Sequence, residues 1–226
     1  MATSDSSTLP SHKRLVQEGY DKMAAEYTAW ALTGSHTRMQ YVAKALEQLP
    51  RAAQSTILEV GCGAGAPVLE HLVRKVSHVF ANDISSTQLN LARERCPGKT
   101  TFLSGDMATL EIAPGTLDVV MGFYSILHLP RDEQPAMIGL IHGWLKEGGL
   151  LVMNLGTEDQ EELRGKFFGQ EMYWSTFSAE KSKQMIRDAG FELLEAEVKT
   201  GEDLDASDPD HGISFLWILA KKSTGP

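Results

Sequence analysis

The stretch that decides the fold is "ILEVGCGAG" at residues 57–65, where a short apolar run leads into a loop with glycine at every second position. The β-branched and apolar residues before the loop favour a buried β-strand. Glycines allow the backbone to turn tightly and a ligand to approach main-chain N–H groups. A helix after the loop would add the positive end of its dipole. The stretch therefore predicts a ligand site where a strand gives way to a helix.

The rest of the chain alternates between short apolar runs and amphipathic segments. The predicted strands are 56–60, 78–83, 100–106, 117–125 and 148–156, and the predicted helices between and after them are 66–76, 85–96, 131–145 and 178–190. This alternation predicts an α/β fold with a parallel sheet and helices on both faces. Only an acidic loop joins the last two predicted strands, 191–198 and 213–222, so we expect an antiparallel hairpin at one edge.

Two further helices are predicted before the first strand. From Lys13 to Ala31, apolar and aromatic residues recur at steps of three and four, and residues 37–50 form a second helical segment that ends at Pro50. We therefore divide the single domain into an N-terminal tail with a helical lid, residues 1–50, and an α/β core, residues 51–226.

Composition narrows the class of partner. The chain has 226 residues and a formal net charge of −9, without a run of lysine or arginine, which argues against nucleic acid or an anionic membrane as a partner. The N-terminus lacks a secretion signal, and the two cysteines, Cys62 and Cys96, do not indicate a disulfide. We expect a cytoplasmic protein, monomeric or homodimeric, that binds neither nucleic acid nor a membrane.

The glycine loop permits a dinucleotide interpretation. Gly61, Gly63 and Ala66 fit the G-x-G-x-x-G/A pattern of dinucleotide-binding folds. Asp83 follows about twenty residues later at a predicted strand end, as that pattern requires. An NAD-dependent oxidoreductase is therefore one hypothesis for this chain.

Other features favour a different cofactor. Gly61, Gly63 and Gly65 alternate more tightly, a carboxylate (Asp106) ends the third predicted strand, and the predicted edge hairpin is foreign to the simple dinucleotide fold. With "LEVGCGAG", "ANDIS", "SGDM" and "LDVVMGFYSILHLP" in order at successive strand ends, the sequence resembles the class I S-adenosylmethionine-dependent methyltransferases that act on small molecules. The resemblance implies a Rossmann-like, doubly wound, mostly parallel seven-stranded sheet beneath an N-terminal helical lid.

The chemistry of S-adenosylmethionine suits the polar residues at these strand ends. Asp83 is expected to accept hydrogen bonds from the ribose hydroxyls, and Ile84 offers an apolar face to the adenine. Asp106 is expected to accept the adenine amino group, with the Met107 backbone nearby. As alternatives, Asp83 could simply cap the following helix and Asp106 could be a turn residue.

The amino-acid tail of the cofactor is expected at the glycine loop. Loop N–H groups and the helix start would hold the carboxylate, whereas carbonyls of Gly61 and Phe123, with Glu59 behind them, suit the ammonium. Glu59 could equally be a solvated strand-end charge. The loop residues in the predicted cofactor site are Gly61, Cys62, Gly63 and Gly65.

The resemblance also implies that the first helix closes over the cofactor. Tyr20 and Tyr27 lie seven residues apart on one face, and an aromatic hydroxyl there would reach the methionine carboxylate. The alternative is that both tyrosines and Trp30 belong to the core stripe of the helix.

Methyl transfer needs groups beside the emerging methyl carbon. Tyr124 and His128 follow the fourth predicted strand and are the candidate catalytic residues; an ordinary histidine pKa suits a general base. His128 could instead be a capping or packing residue. The predicted acceptor site comprises Trp30, Tyr124, His128, Met172, Tyr173 and Trp174, the last three from an aromatic segment that could alternatively only anchor a long insertion.

We do not expect a metal site. The histidines are scattered, and Gly122, Phe123 and Tyr124 occupy the place after the fourth strand where cation-dependent relatives carry carboxylates. The sequence therefore predicts metal-independent methyl transfer from S-adenosylmethionine, with S-adenosylhomocysteine as product, to a small-molecule acceptor. Two alternatives stay open: a protein that binds the cofactor without methylating, and the NAD-dependent oxidoreductase.

Overall fold

The computed structural model describes residues 9–33, 36–201, 206 and 208–223. Most of the predicted N-terminal tail lies outside these ranges. The strands are β1 Thr56–Val60, β2 His78–Asp83, β3 Thr100–Ser104, β4 Leu117–Gly122, β5 Leu145–Gly156, β6 Gln160–Phe167, β7 Gln170–Thr176, β8 Phe191–Thr200 and β9 Ser214–Lys222. The α-helices are α1 Ser11–Thr33, α2 His36–Gln48, α3 Val68–Leu72, α4 Ser86–Arg95, α5 Glu133–Trp144 and α6 Ala179–Asp188.

A seven-stranded sheet forms the centre of the fold. Its strand order is β3-β2-β1-β4-β5-β9-β8. The pairs among the first five strands are parallel, whereas β9 runs antiparallel to both β5 and β8. The predicted doubly wound sheet with a C-terminal antiparallel hairpin is confirmed.

Helices cover both faces of the sheet because its central strands are apolar on both sides. Ile57 and Leu58 are neighbours in β1, are both fully buried, and belong to different core layers. Ile57 packs in a layer with residues of α2, α3 and α4, and Leu58 in a layer with residues of α5 and α6. Continuous burial of this kind is typical of parallel sheets.

The helix starts follow their capping residues. The Ser85 side chain accepts from the backbone N–H of Gln88, and Ser178 accepts from that of Lys181. These two predicted starts are confirmed, because a serine at this position satisfies an otherwise unpaired N–H of the first turn. Within the described ranges, no helix has the length and apolarity needed to cross a membrane.

The helix predicted at 66–76 is much shorter in the structure. Only Val68–Leu72 is α-helical. Beyond it the hydrogen bonds tighten to three-residue turns, in which Arg74 N donates to His71 O at 3.3 Å and Lys75 N to Leu72 O at 2.8 Å. The apolar spacing therefore predicted a buried segment correctly but overestimated the length of its helix.

The segment 157–177 contains a β-hairpin that the sequence pattern did not predict. Strands β6 and β7 pair antiparallel as a separate two-stranded sheet. Nearly all of β6 is exposed and carries no apolar alternation, while β7 buries Met172 and Tyr173. The turn residues Phe168 and Gly169 have φ of 46° and 73°. Two-residue turns of this type usually contain Asn-Gly or Asp-Gly, so Phe-Gly gave no hairpin signal.

Candidate functional site

A narrow cleft opens at the carboxyl ends of β1, β2 and β4, under α1, where open α/β sheets bind ligands. The loop after β1 forms one wall, and Gly61 and Gly63 adopt φ of 72° and 55°. A Cβ on Gly61 would lie 2.3 Å from Cβ of Ser125, so this position has no room for a side chain. We call this space the inner cleft.

Many residues of the predicted cofactor site meet at the inner cleft. Those from the α/β core are Gly61, Gly63, Asp83, Ile84, Asp106, Met107 and Phe123. Tyr20 and Tyr27 join them from α1, and Tyr124 and His128 from the segment after β4. The cleft volume is about 50 Å³. Sites for drug-sized ligands enclose roughly 300–1,000 Å³, so α1 closes tightly over the cleft in this conformation.

Asp83 is fixed at the base of the inner cleft by two backbone N–H groups. Its Oδ2 accepts from Gly63 N at 2.8 Å and its Oδ1 from Ser85 N at 2.9 Å. Burial raises the pKa of this carboxyl to about 6, against the lowering effect of the two N–H groups. Each carboxylate oxygen keeps a second lone pair that a ligand hydroxyl could use.

A buried lysine of α1 contacts the second predicted carboxylate. Lys13 Nζ lies 2.5 Å from Asp106 Oδ2 and also pairs with Glu133. Burial alone would lower the pKa of Lys13, but the hydrogen bonds to the two carboxylates outweigh it and raise the pKa. The other oxygen of Asp106 accepts from Ala108 N at 3.0 Å. Asp106 therefore both shapes a turn and anchors the N-terminal end of α1.

Three residues of the predicted cofactor site do not line the inner cleft. Glu59 is buried below it, and burial raises its pKa to about 8. Cys62 is buried with its Sγ 3.5 Å from Gly63 O. A Cβ on Gly65 would meet side chains of the α3–α4 layer, so this glycine faces the core. Of the glycine loop, only Gly61 and Gly63 therefore line the cleft.

A larger cavity of about 380 Å³ adjoins the inner cleft, and we call it the outer cavity. Its walls come from α1, the β6–β7 hairpin and the loops before β6 and β9. Its aromatic lining residues are Tyr20, Tyr27, Trp30, Tyr124, Phe167, Trp174 and Phe215. Tyr20, Tyr27, Tyr124 and His128 line both spaces, so a group passing from one to the other would meet these four side chains.

The hydrogen bonds of His128 with its two neighbours define which ring nitrogen carries the proton. Its Nδ1 lies 2.7 Å from Tyr173 O and its Nε2 lies 3.0 Å from the Tyr20 hydroxyl. A carbonyl only accepts, so Nδ1 carries the proton and Nε2 accepts from Tyr20. Burial lowers the pKa of His128 to about 4, although its bond to the Tyr173 carbonyl raises it. The pKa of His128 is therefore well below the ordinary histidine value that we expected for a general base. The ring is neutral near pH 7.

Tyr124 occupies a backbone conformation that few tyrosines adopt. Its φ is 53°, and its backbone N–H donates to Asn154 Oδ1 at 2.7 Å. Its hydroxyl donates to Asp210, and burial followed by the nearby Asp210 charge raises the pKa of Tyr124. Arg38 stacks on the ring, with its Cζ 4.8 Å from the centroid. These contacts hold the Tyr124 side chain between the two spaces.

The predicted acceptor wall is partly wrong. Trp30 and Trp174 line the outer cavity, but Met172 and Tyr173 do not. Met172 is completely buried, with its Sδ 2.4 Å from where a Cβ on Gly19 would lie. Tyr173 packs on the ring of His12 at 5.2 Å and contributes only its carbonyl to the site. Alternation along β7 turns Tyr173 to the face opposite Trp174, whereas Met172 shares the face of Trp174 but packs against Gly19 of α1.

Sequence reasoning missed two buried cations. Arg38 is 6% exposed and its Nε has no partner among the described residues, where the side chain also forms no ion pair. It precedes the buried Tyr41 and Val42 by three and four residues, so it lies on the buried stripe of α2. Lys13 precedes Val16 by three residues in the same way on α1. The signal available in the sequence was a charged residue at a position that belongs to the otherwise apolar face of a predicted helix.

The described residues contain no cluster of three or more histidine, cysteine, aspartate or glutamate side chains arranged to hold a metal ion.

Comparison with known proteins supports the predicted family over part of the chain. Residues 57–149 match the family model for a methyltransferase domain, a span that contains β1 to β4 and the glycine loop. Residues 57–149 are therefore similar to a methyltransferase domain, in agreement with the predicted resemblance to the class I S-adenosylmethionine-dependent methyltransferases. Among curated methyltransferases, the chain is 28% identical over 179 residues to phosphoethanolamine N-methyltransferase 1 of Triticum aestivum. That match covers 76% of this chain and 34% of the wheat protein, so the chain spans about a third of its relative's length.

Solved structures share the fold of this chain. The 1,6-didemethyltoxoflavin-N1-methyltransferase of Burkholderia thailandensis, with its acceptor and S-adenosylhomocysteine bound, superposes with a TM-score of 0.71 at 15% identity, covering 96% of this chain and 92% of that one. The [4+2]-cyclase SpnF superposes with a TM-score of 0.69 at 19% identity, covering 96% and 97%. A shared fold therefore does not by itself fix the reaction.

Proposed function

We propose that this chain transfers a methyl group from S-adenosylmethionine to a small organic acceptor without a metal ion. The observation that carries the proposal is the junction of the two spaces. A cofactor in the inner cleft and an acceptor in the outer cavity would meet at Tyr20, Tyr27, Tyr124 and His128. Placing two reactants in contact supplies much of the rate of a displacement reaction.

The polar groups of the inner cleft fit the cofactor. Asp83 has free lone pairs for the ribose hydroxyls, and Ile84 and Met107 offer apolar surface to the adenine. Ser125 lines the cleft, and its buried Oγ has no hydrogen-bond partner within the described chain. The bound cofactor would supply a methyl group on a positively charged sulfur, which a nucleophilic acceptor atom attacks in line.

Arg38 is the group that we assign to the cofactor carboxylate. Its guanidinium hydrogen-bonds Tyr27, whose ring lies 3.6 Å from where a Cβ on Gly63 would be. The charge of Arg38 also opposes the rise in the pKa of Glu59 at the end of β1. A buried guanidinium that forms no ion pair among the described residues is suited to bind a carboxylate in a bidentate manner.

Tyr20 and His128 position the acceptor in this proposal. The neutral His128 ring accepts the Tyr20 proton, which leaves the lone pairs of the Tyr20 oxygen free to accept from an acceptor hydroxyl or amine. Burial raises the pKa of Tyr20, so it stays protonated at neutral pH. The pair orients a nucleophile and does not require a strong base.

We assign the role of a lid to α1. Lys13, Val16, Tyr20 and Tyr27 cover the inner cleft from this helix. With a cleft as narrow as the present one, the adenosyl group enters only if α1 moves. The contact between Lys13 and Asp106 holds the N-terminal end of this lid.

The test is formation of S-adenosylhomocysteine from S-adenosylmethionine in the presence of a small-molecule extract. We expect turnover by the wild type, no loss with EDTA, and loss in Asp83→Ala. Cofactor binding without turnover in any extract would favour the alternative in which the fold binds the cofactor but does not methylate. The NAD-dependent alternative has no support from the family comparison.

A further inference from the structure

The loop between β8 and β9 brings carboxylates into the aromatic outer cavity. The sequence suggests that this acidic loop is solvated, but residues 208–210 fold against the site. Asp208 accepts from the indole N–H of Trp30 at 3.2 Å and from the backbone N–H of Asp210 at 2.8 Å. Asp208 is therefore engaged in holding the loop and Trp30 in place.

Asp210 remains as the carboxylate of this loop that lines the cavity. It accepts from the Tyr124 hydroxyl, which lies at the junction with the inner cleft. Among the described residues, this hydrogen bond leaves lone pairs on the Asp210 carboxylate. Burial raises the pKa of Asp210 to about 6, so it is mostly ionised at neutral pH. A buried carboxylate of this kind gains from an incoming positive charge.

Aromatic rings surround this carboxylate. Trp30 contacts the Tyr124 ring at 6.1 Å and the Phe167 ring at 5.8 Å, and Tyr124 contacts Phe215 at 5.0 Å, all edge to face. Ring faces of tryptophan and tyrosine attract cations, most strongly where water is excluded. The combination of ring faces with a carboxylate is suited to an organic ammonium group.

The charges around the cavity disfavour an anionic acceptor. Lys166 supplies the only positive charge among the described residues that line it, and its side chain is exposed. Arg38 stacks on Tyr124 but does not line the cavity. At the mouth, Leu163 and Ile213 are 47% and 46% exposed, which leaves an apolar rim. A phosphate group in the cavity would meet one exposed lysine, Lys166, and two carboxylates, Asp210 and Glu158.

We propose that the outer cavity selects an organic amine that is protonated in solution and carries no phosphate, with Asp210 as its ion-pair partner. An ammonium nitrogen has no lone pair, so its proton passes to the Asp210 carboxylate before the nitrogen attacks the methyl carbon. The bond between that carbon and the sulfonium sulfur then breaks, and the sulfur leaves as a neutral thioether. The inference rests on the proposed methyl transfer and names the class of its acceptor. It separates this chain from the phosphoethanolamine enzymes to which its sequence is similar.

The experiment compares three probes of similar size by calorimetry: phenyltrimethylammonium, neutral tert-butylbenzene and phenyl phosphate. We expect the wild type to bind the cation about tenfold more tightly than the neutral probe, with phenyl phosphate weakest. Asp210→Asn should lose this preference and bind the neutral probe as before. Asp210→Glu should retain it in part, and Asp188→Asn, on the exposed surface of α6, should match the wild type.

The inference can be tested even if a variant fails to fold, because the affinities of the wild type for the three probes are enough to contradict it. Equal binding of cation and neutral probe, no binding of either, or tighter binding of phenyl phosphate would each contradict it. Retained cation preference in a folded Asp210→Asn would contradict the role of Asp210. A parallel titration with S-adenosylhomocysteine separates the two proposals, since failure there removes the proposed function and leaves the probe ranking intact.

Discussion

The Tyr20 hydroxyl lies 3.0 Å from His128 Nε2, and this contact joins α1 to the segment after β4 at the junction of the two spaces. Because His128 Nδ1 donates to Tyr173 O, the same ring also ties the β6–β7 hairpin to this point. One neutral histidine therefore links α1, the segment after β4 and the β6–β7 hairpin.

Removing this histidine should affect turnover and leave cofactor affinity unchanged. His128→Ala is expected to lower kcat by about a hundredfold, within the range for a positioned polar group next to the reacting atoms. Tyr20→Phe, which keeps the ring but removes the hydroxyl, should lower kcat in the same direction. S-adenosylhomocysteine affinity, measured by calorimetry, should change little in His128→Ala. An equal loss of affinity and turnover in that variant would assign His128 to the cofactor site instead.

Cofactor binding should weaken in acid because of Asp83. Burial raises the pKa of this carboxyl above its ordinary value to about 6, so the ionised form is lost as the pH falls through about 6. A proton on either oxygen would occupy the lone pair that the N–H bonds from Gly63 and Ser85 leave free and so remove an acceptor for the ribose. The affinity for S-adenosylhomocysteine should fall between pH 8 and pH 5.

Asp83→Asn provides the control for this pH dependence. The amide does not titrate, so this variant should bind weakly and with little change across the same range. A wild-type affinity that stays constant from pH 8 to pH 5 would show that Asp83 does not contact the ligand.

The assignment of Arg38 can be tested from both the protein and the ligand. Arg38→Met should weaken the binding of S-adenosylhomocysteine by about 1.5–3 kcal/mol, the typical contribution of a hydrogen bond to a charged group. This corresponds to an increase in Kd of roughly 10- to 150-fold. Methylthioadenosine, which lacks the amino-acid tail, should bind the variant and the wild type alike. An equal loss of affinity for both ligands would show that Arg38 only holds Tyr27 and Tyr124 in place.

Much of the fold could be predicted because its signals are local. Apolar runs, glycines and serine caps such as Ser85 act within a few residues, so they identified the strands and several helix starts. The β6–β7 hairpin escaped prediction because β6 is exposed and polar and its turn is Phe168-Gly169. Met172 of β7 packs against α1, and a local sequence pattern does not predict a contact of that kind.

The site was predictable where backbone geometry dictates residue type. Gly61 is needed because Ser125 leaves no space for a Cβ, and Asp83 ends a strand that points at the glycine loop. Arg38 stacks on Tyr124 from α2, and Asp210 lines the outer cavity from the β8–β9 loop, both far from the glycine loop in sequence. Contacts of that kind follow from the tertiary fold alone.

Lys13 should slow the entry of the cofactor. It pairs with Asp106 and Glu133 and holds the N-terminal end of α1 over the inner cleft. Lys13→Ala should therefore raise the association rate constant for S-adenosylhomocysteine, measured by stopped-flow tryptophan fluorescence. Lys22→Ala, an exposed lysine of the same helix, is the control. An unchanged or slower association in Lys13→Ala would show that α1 is not the barrier to entry.

The most direct test of the account is calorimetric titration of the purified chain with S-adenosylhomocysteine and, separately, with NADH. We predict saturable binding of S-adenosylhomocysteine at one site, its loss in Asp83→Ala, and no heat from NADH. Binding of NADH with no response to S-adenosylhomocysteine would mean that the loop at Gly61 and Gly63 holds a pyrophosphate, which would contradict the account.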